Sequence, residues 1–278
     1  MTTDATPSRD DLAVMLYDVL ALSTLEPLPA RAPITGLPGL WSPRPDSKPG
    51  ARIELAAGEQ VLVDGVETSG VVDVDLSDPR TPRSGALALD AERRVVVWSF
   101  PDAYGGQVWV GVTEESAARL RTFQGISVYP SDERWRIPVS FIPAGEDEQL
   151  ATVQRFHTGE ASVMRRVGWF NTVLDGEQYR FAIDDNQGYA YVQFRDAGSG
   201  VESYAAGRAI PLPRDPSGVE VLDFNQAIVP MCAFNPLMNC PLTPPNNLIR
   251  TVVRAGQCDA LFGPIAADDG EDSPGSHA

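Results

Sequence analysis

The sequence predicts a mainly β protein with one helix near its N-terminus. Short segments of alternating apolar and polar residues recur after residue 50, with turn residues between them, which is typical of sandwiches and antiparallel sheets. Two Asp-Gly pairs, Asp64-Gly65 and Asp175-Gly176, each separate two apolar runs, as two-residue hairpin turns do. We therefore expect a small N-terminal β-sandwich and a larger antiparallel sheet or barrel-like half.

A helix is predicted over residues 8–26. Ser8 and Asp11 have the spacing of a capping box, with Asp in place of Glu. Pro27 and Pro29 end the pattern, since proline disrupts a helix interior. Apolar residues recur at helical spacing at Leu12, Met15, Leu16, Val19 and Leu20.

The strands of the N-terminal half follow a proline-rich arm that reaches residue 50. Residues 60–63 and 66–68 flank the first Asp-Gly pair, and 72–76 alternate as a strand with one solvated face does. Further strands are predicted at 85–90, 94–100 and 107–112, followed by a short helix at 114–121.

The C-terminal half is predicted to contain seven segments of strand. They are residues 137–142, 149–157, 162–174, 178–183, 189–195, 219–222 and 248–254. The expected division of the chain is 1–50 (helix and arm), 51–112 (sandwich), 113–132 (connector), 133–265 (β half) and 266–278, an acidic tail whose composition indicates disorder.

Residues 223–247, here named the Pro/Cys loop, hold five prolines and two of the three cysteines. Proline fixes φ and restricts the preceding residue, so such a segment can be ordered without being helix or strand. Ordered loops of this length are commonly binding or catalytic surfaces. We expect the loop to fold back over the β scaffold as a fixed cap.

Composition and charge narrow the classes of partner. The net charge of −16, from 38 acidic and 22 basic residues, argues against nucleic acid or an anionic membrane, which need clustered cations. The polar start lacks the features of a signal peptide, so a cytoplasmic location is expected. Three cysteines without Cys-x-x-Cys spacing indicate neither a disulfide framework nor zinc, and no other metal site is predicted. The sequence leaves the cofactor and the oligomeric state unknown.

Several motifs of the C-terminal half resemble a bacterial family catalogued as domain of unknown function 1684. The resemblance covers roughly residues 120–257, and the residues that carry it are Phe194-Arg195-Asp196-Ala197-Gly198-Ser199-Gly200, Gly207-Arg208, Leu222-Asp223-Phe224-Asn225, Cys232-Ala233-Phe234-Asn235-Pro236, Cys240-Pro241-Leu242 and Pro244-Pro245. The chain departs from the family pattern at Gln226, Ile228, Val229, Asn246 and Leu248, where family members carry more polar or charged groups. The resemblance implies a fold, and for residues 51–112 it implies a small forkhead-associated-like sandwich. The loop would be the family's site, and its departures imply either a different, more apolar ligand or loss of the family's activity.

Asp223 and Arg208 are the candidate catalytic residues. Asp223 and Asn225 could act as a general base and an orienting amide, or could instead satisfy backbone groups of the irregular loop. Arg208 could clamp a ligand carboxylate, or could pair with Asp196 or Asp223 and hold the loop to the sheet.

Three interpretations of the two loop cysteines stay open. Cys232 and Cys240 could be reduced packing residues, a bridge that pins the loop, or a nucleophile and its neighbour. The internal histidine, His157, lies in a different predicted strand. Residues 51–112 contain several arginines but no recognisable phosphothreonine-binding motif.

Three functions remain as hypotheses: a small-molecule-binding protein, an enzyme that uses Asp223 and Arg208, and a protein-interaction module without a pocket. In the first two, the pocket lies between the second sheet and the Pro/Cys loop. Its expected lining is Asn225, Tyr204, Cys232, Phe234, Cys240, Asn247, Trp169 and Tyr191, with Phe224 beside them.

Overall fold

The computed structural model describes residues 8–46, 50–76, 87–100, 107–155, 159, 161–186 and 189–264. The chain is mainly β, as predicted, with its strands in several antiparallel sheets. His157 and the acidic tail from residue 266 lie outside the described residues, as do the first two residues of the strand predicted at 85–90.

Two short helices, α1 (Arg9–Met15) and α2 (Tyr17–Leu20), begin the described chain. The capping box is confirmed: the Asp11 amide donates to Ser8 Oγ (3.2 Å), and the Ser8 amide donates to Asp11 Oδ2 (3.1 Å). The prediction that helix continues to residue 26 is wrong. Strand β1 (Leu22–Leu28) begins inside the predicted helix, because its backbone pairs with a strand 80 to 91 residues further along the chain. Local periodicity does not register such a tertiary contact.

The N-terminal half is a sandwich of two antiparallel sheets. One sheet has the order β1-β9-β8-β7-β4-β5 and the other β2-β3-β6. Their shared core includes Trp41 and Ile53 from the smaller sheet and Val97 and Val110 from the larger. The strands after β1 are β2 (Leu40–Pro43), β3 (Gly50–Glu54), β4 (Val61–Val63), β5 (Val66–Thr68), β6 (Val71–Asp75), β7 (Leu87–Ala88), β8 (Arg93–Phe100) and β9 (Gln107–Glu114).

The C-terminal half is built on one large sheet of order β12-β14-β15-β16-β17, with β13 also paired to β14. Two further pairs, β10-β19 and β11-β18, complete it, so the described strands form open sheets rather than a closed barrel. The strands are β10 (Phe123–Val128), β11 (Arg136–Pro138), β12 (Ser140–Pro143), β13 (Leu150–Gln154), β14 (Ala161–Leu174), β15 (Glu177–Asn186), β16 (Tyr189–Phe194), β17 (Arg208–Pro211), β18 (Val221–Asp223) and β19 (Gln257–Phe262).

One face of the large sheet packs on the main core of this half. Phe170, Phe181 and Phe194 point into it, and Phe224 of the Pro/Cys loop contacts two of these rings edge-on, with centroids 6.2 and 5.0 Å away. The opposite face carries polar and aromatic side chains, and it is the face on which the candidate site lies.

Two further predicted elements are corrected. The connector helix is shorter than 114–121 and spans α3 (Ala118–Thr122). Residues 248–254 are not a strand, because the Val253 backbone is bonded to side chains: its amide donates to Asp196 and its carbonyl accepts from Arg208. The closing strand is β19 instead.

The predicted domain boundaries stay predictions. Strands β1 and β2 precede residue 51, yet they pair within the two N-terminal sheets. In the described part of the chain, no helix is long and apolar enough to span a lipid bilayer.

Candidate functional site

The Pro/Cys loop is fixed to the scaffold through short 3₁₀ turns and buried side chains. The turns are Phe224–Gln226, Met231–Ala233 and Pro245–Asn247. Phe224, Phe234 and Asn247 are almost fully buried. Pro244 precedes the last turn and Pro245 is its first residue, so both restrict the backbone there to the extended and turn conformations.

Asp223 and Asn225 contact each other, and both also hydrogen-bond to backbone groups. Asp223 caps the turn that follows it: its Oδ1 accepts from the Asn225 amide (3.0 Å) and from Asn225 Nδ2 (2.8 Å). The Asn225 side chain also bonds both the amide and the carbonyl of Asp132 (3.0 and 3.1 Å). Arg136 Nη1 lies 3.5 Å from Asp223 Oδ2. This geometry ties the loop start to the segment before β11.

Arg208 is fully buried and pairs with Asp196 at 2.8 Å. Its Nη1 donates to the carbonyls of Ala255 (2.6 Å) and Gln257 (3.1 Å), and its Nη2 also donates to Val253 (2.7 Å). Both terminal nitrogens of the guanidinium are hydrogen-bonded within the fold. Arg208 therefore holds the chain before β19 against β17. The pairing with Asp196 is one of the two that the sequence suggested.

Asn247 acts as a bridge between β15 and β16. Its Oδ1 accepts from the Ala182 amide (2.7 Å), and its Nδ2 donates to the carbonyls of Ala182 (3.0 Å) and Gln193 (2.6 Å). The two strands pair directly only over residues 184–186 and 189–191. The Asn247 side chain therefore hydrogen-bonds to backbone groups of the two strands at positions where the strands do not pair with each other.

Tyr204, Cys232 and Cys240 form a second cluster of the loop, with Phe234 packed in the same apolar group as Tyr204. The Cys232 and Cys240 thiols hydrogen-bond to each other, and Tyr204 hydrogen-bonds to Cys232. The bond from Cys240 lowers the pKa of Cys232, and the same bond with burial raises that of Cys240 well above its ordinary value. Burial raises the pKa of Tyr204.

The outer face of the large sheet carries a buried ion pair that the sequence interpretation missed. Arg166 Nε donates to Asp184 Oδ1 at 2.6 Å, and both side chains are more than nine-tenths buried. Burial raises the pKa of Asp184 although the bond from Arg166 opposes the shift. The Arg166 guanidinium lies 4.6 Å from the centre of the Trp169 ring, and Tyr191 is paired opposite Asp184.

A cleft of about 400 Å³ opens between this face and the end of the Pro/Cys loop. The loop is joined to the sheet there, because the Leu242 amide donates to the Gln154 carbonyl (2.7 Å) and Gln193 Nε2 donates to the Pro241 carbonyl (2.8 Å). The cleft is lined by Ala151, Thr152, Val153, Gln154, Arg166, Leu242, Thr243, Pro244, Pro245 and Asn246.

A larger cleft of about 590 Å³ lies at the other end of the β14-β15 hairpin. It is lined by Ser140, Asn171, Thr172, Val173, Gln178, Tyr179 and Arg180. None of these side chains belongs to a buried residue, and no part of the Pro/Cys loop borders it. It is an open, solvated face of the sheet.

The structure therefore distributes the predicted site residues over four places: the loop start, the buried arginine, the thiol cluster and the outer face. Trp169, Tyr191 and Asn247 belong to the outer face or its edge, whereas Phe224 and Phe234 lie in separate cores. No signal in the sequence singles out Arg166 or Asp184, because each stands next to a residue of the same charge, Arg165 or Asp185. Among the described residues, no group of three His, Cys, Asp or Glu side chains could hold a metal ion.

Residues 121–258 match the model of a family described as "Protein of unknown function (DUF1684)". The C-terminal half of the chain belongs to this family. Both thiols of the loop and the whole cleft beside it lie within the matched residues.

Among solved structures, the chain is similar to the solution NMR structure of an uncharacterized protein of Haloarcula marismortui. The two share 28% sequence identity over 50% of this chain and 77% of that chain, with a TM-score of 0.40. No curated protein matches the chain. These comparisons assign no ligand or reaction, and they leave the expected bacterial origin and cytoplasmic location as predictions.

Proposed function

We propose that the DUF1684 half binds a small molecule in the cleft between β13, β14 and residues 242–246, with an anionic group of the ligand at Arg166. The observation that carries the proposal is the position of Arg166, a buried arginine on the wall of a cleft. Burial of Arg166 is compensated by its pair with Asp184, and this pair holds the guanidinium at the cleft wall. Pockets of about 300–1,000 Å³ with a few convergent polar groups are typical of ligand sites.

Arg166 has hydrogen-bonding capacity left for a ligand. Asp184 accepts from its Nε, and among the described residues no other acceptor bonds its guanidinium. The two Nη nitrogens match the geometry of a carboxylate or phosphate, which arginine binds through two parallel hydrogen bonds. Asp184 and Trp169 hold the guanidinium in place, so little side-chain entropy is lost when a ligand binds.

The rest of the lining suits a ligand with an apolar body. Leu242, Pro244 and Pro245 form one wall and Val153 contributes to the other. The two prolines give a rigid surface, because their φ angles are fixed before the ligand arrives. A small organic acid with a hydrocarbon or aromatic part fits this combination of charge and apolar surface.

The proposal is tested by a thermal-shift screen of the purified protein against organic acids and organic phosphates, followed by calorimetric titration of each compound that raises the melting temperature. A ligand at about 100 times its Kd stabilises the folded state by about 2.7 kcal/mol. We expect an organic acid or phosphate to stabilise the protein and to bind with one site per chain.

Two matched variants locate the site. Ala151→Trp places a large side chain in the proposed cleft on the face that carries Arg166, and Val173→Trp places one in the other cleft; neither residue is buried. The first should abolish binding and the second should leave it unchanged. The proposal fails if no organic acid or phosphate stabilises the protein, or if binding survives Ala151→Trp.

The enzyme hypothesis with Asp223 and Arg208 stays a prediction. Both side chains are bonded to other parts of the fold, and neither lines the two clefts described above. Asp223→Asn tests it once a substrate is found: turnover lost with the melting temperature intact would support a catalytic role.

A further inference from the structure

Cys232 and Cys240 are brought together by a tight reversal of the Pro/Cys loop. The Asn235 amide donates to the Met231 carbonyl (3.2 Å), and the Met238 amide donates to the Asn235 carbonyl (3.0 Å). The Asn235 side chain anchors this reversal by donating to the carbonyls of Val19 (2.9 Å) and Leu22 (2.8 Å). Two successive turns return the chain on itself, so residues eight apart in sequence meet.

The two thiols are in contact. Both cysteines are free, and their side chains hydrogen-bond to each other. A disulfide joins two sulfur atoms at about 2.05 Å, so bond formation starts from side chains that already touch. Cys258, the third cysteine, is also free and buried, and its hydrogen-bonding partner is Tyr129 instead.

The two members of the pair differ in a way that suits thiol–disulfide exchange. Cys240 is the more exposed residue of the pair, and Cys232 is buried. Cys240 therefore forms the mixed disulfide with the small molecule first. Hydrogen bonds from Cys240 and Tyr204 favour the thiolate of Cys232, and the thiolate is the form that attacks a disulfide and releases the second small thiol.

We infer that Cys232 and Cys240 form a reversible disulfide through exchange with a low-molecular-weight disulfide, which makes this pair a redox modification site of the loop. In the exchange, a bond forms between the two Sγ atoms and the S–S bond of the small disulfide breaks. The protein thiols lose two electrons and two protons, and the small molecule takes them up as two thiols. The inference is independent of the proposed ligand cleft.

The consequence is a loop that is covalently closed over nine residues. Cross-linking a loop of this length restricts the unfolded chain. For a protein of this size we expect the melting temperature to rise by about 5 °C on oxidation and to return on reduction.

The experiment incubates the native full-length protein in glutathione buffers of graded ratio, alkylates the remaining thiols, and maps the peptides by mass spectrometry. The expected product is a peptide pair linked through Cys232 and Cys240, with Cys258 still alkylated. Cys258→Ser is the matched control and should give the same linkage. In the Cys232→Ser variant, the reaction should stop at a mixed disulfide between glutathione and Cys240.

Three results would overturn the inference. One is wild-type protein in which both loop thiols stay alkylatable at every glutathione ratio. Another is a linkage that forms only in urea, and the third is a bond that includes Cys258. Because wild-type mapping decides each of these, the test does not depend on whether the serine variants fold.

Discussion

Replacing Asp196 by asparagine should destabilise the protein severely, because this carboxylate is the centre of a buried network. Its Oδ2 accepts from Arg208 Nη2 and the Val253 amide (both 2.8 Å). Its Oδ1 accepts from the Gly198 amide (3.0 Å) and Ser199 Oγ (2.9 Å). The paired side chains are 0% and 1% exposed, so water cannot replace what is lost.

The magnitude follows from that geometry. Asparagine has one acceptor oxygen, so whichever way its amide turns, an NH₂ group faces two of the four donors. The substitution also leaves the Arg208 charge buried without its counterion. Breaking a buried pair by changing one partner costs about 3–5 kcal/mol, a large part of the stability of a typical domain.

The assay is urea unfolding followed by tryptophan fluorescence, with the free energy of unfolding extrapolated to water. Glu177→Gln is the matched control, since it removes a carboxylate from an exposed pair with Arg250 at 3.0 Å and should cost less than about 1 kcal/mol. If Asp196→Asn loses no more free energy than this control, the buried pair is not what holds the segment before β19.

Three further predictions concern stability, each read from chemical unfolding. Gly207→Ala should lower the free energy of unfolding by about 3 kcal/mol, because φ is +89° and the new Cβ would clash with the Phe194 carbonyl oxygen. Gly218→Ala is the control: open space surrounds this glycine, so its effect should stay within about 0.5 kcal/mol. Equal losses in the two variants would contradict this reasoning. Asn247→Ala should lose about 3 kcal/mol with its three buried hydrogen bonds, and a neutral result would mean that the strands close without it. Asp184 has a folded-state pKa raised above 3.8, so the folded state binds the proton more tightly than the unfolded one. The measured quantity is the free energy of unfolding of the wild type minus that of Asp184→Asn. This difference should fall as the pH rises from 3.8 to the folded-state pKa of Asp184 and be constant above it. A rise over the same range would show that the pKa is not raised.

Features set by neighbouring residues could be predicted from the sequence. The Ser8–Asp11 capping box and the two Asp-Gly turns each depend on side chains within a few positions. At those turns Asp64 and Asp175 have φ of 51° and 50°, the left-handed conformation that such hairpins require. The alternation in β6 likewise places Val72 and Val74 in the core.

Features that depend on distant partners could not be predicted in this way. Residues 22–26 continue a helical pattern, yet they pair with β9 because an unpaired strand of the sandwich would leave buried backbone groups without partners. The segment 248–254 has the composition of a strand, but Asp196 and Arg208 bond its backbone instead.

The candidate site was predicted in part for the same reason. The Pro/Cys loop was identified as an ordered cap, and Trp169 and Tyr191 as part of the surface near it. The polar centre of the cleft, Arg166 with Asp184, is built across two strands, and neither residue belongs to a motif. Asp223 and Arg208 stood out because they follow strands and turns, and the structure shows both bonded within the fold.

The central claim is that the Pro/Cys loop is held on the sheet and so forms one wall of a lasting cleft. Amide hydrogen exchange measures this most directly at Leu242 and Val229 of the loop and at Ile249 just after it, whose N–H groups donate to Gln154, Gln257 and Arg195. We predict exchange at least ~100-fold slower than in an unstructured chain. Exchange at the unstructured rate at these three amides would show that the loop leaves the sheet, and the cleft would then have no fixed wall.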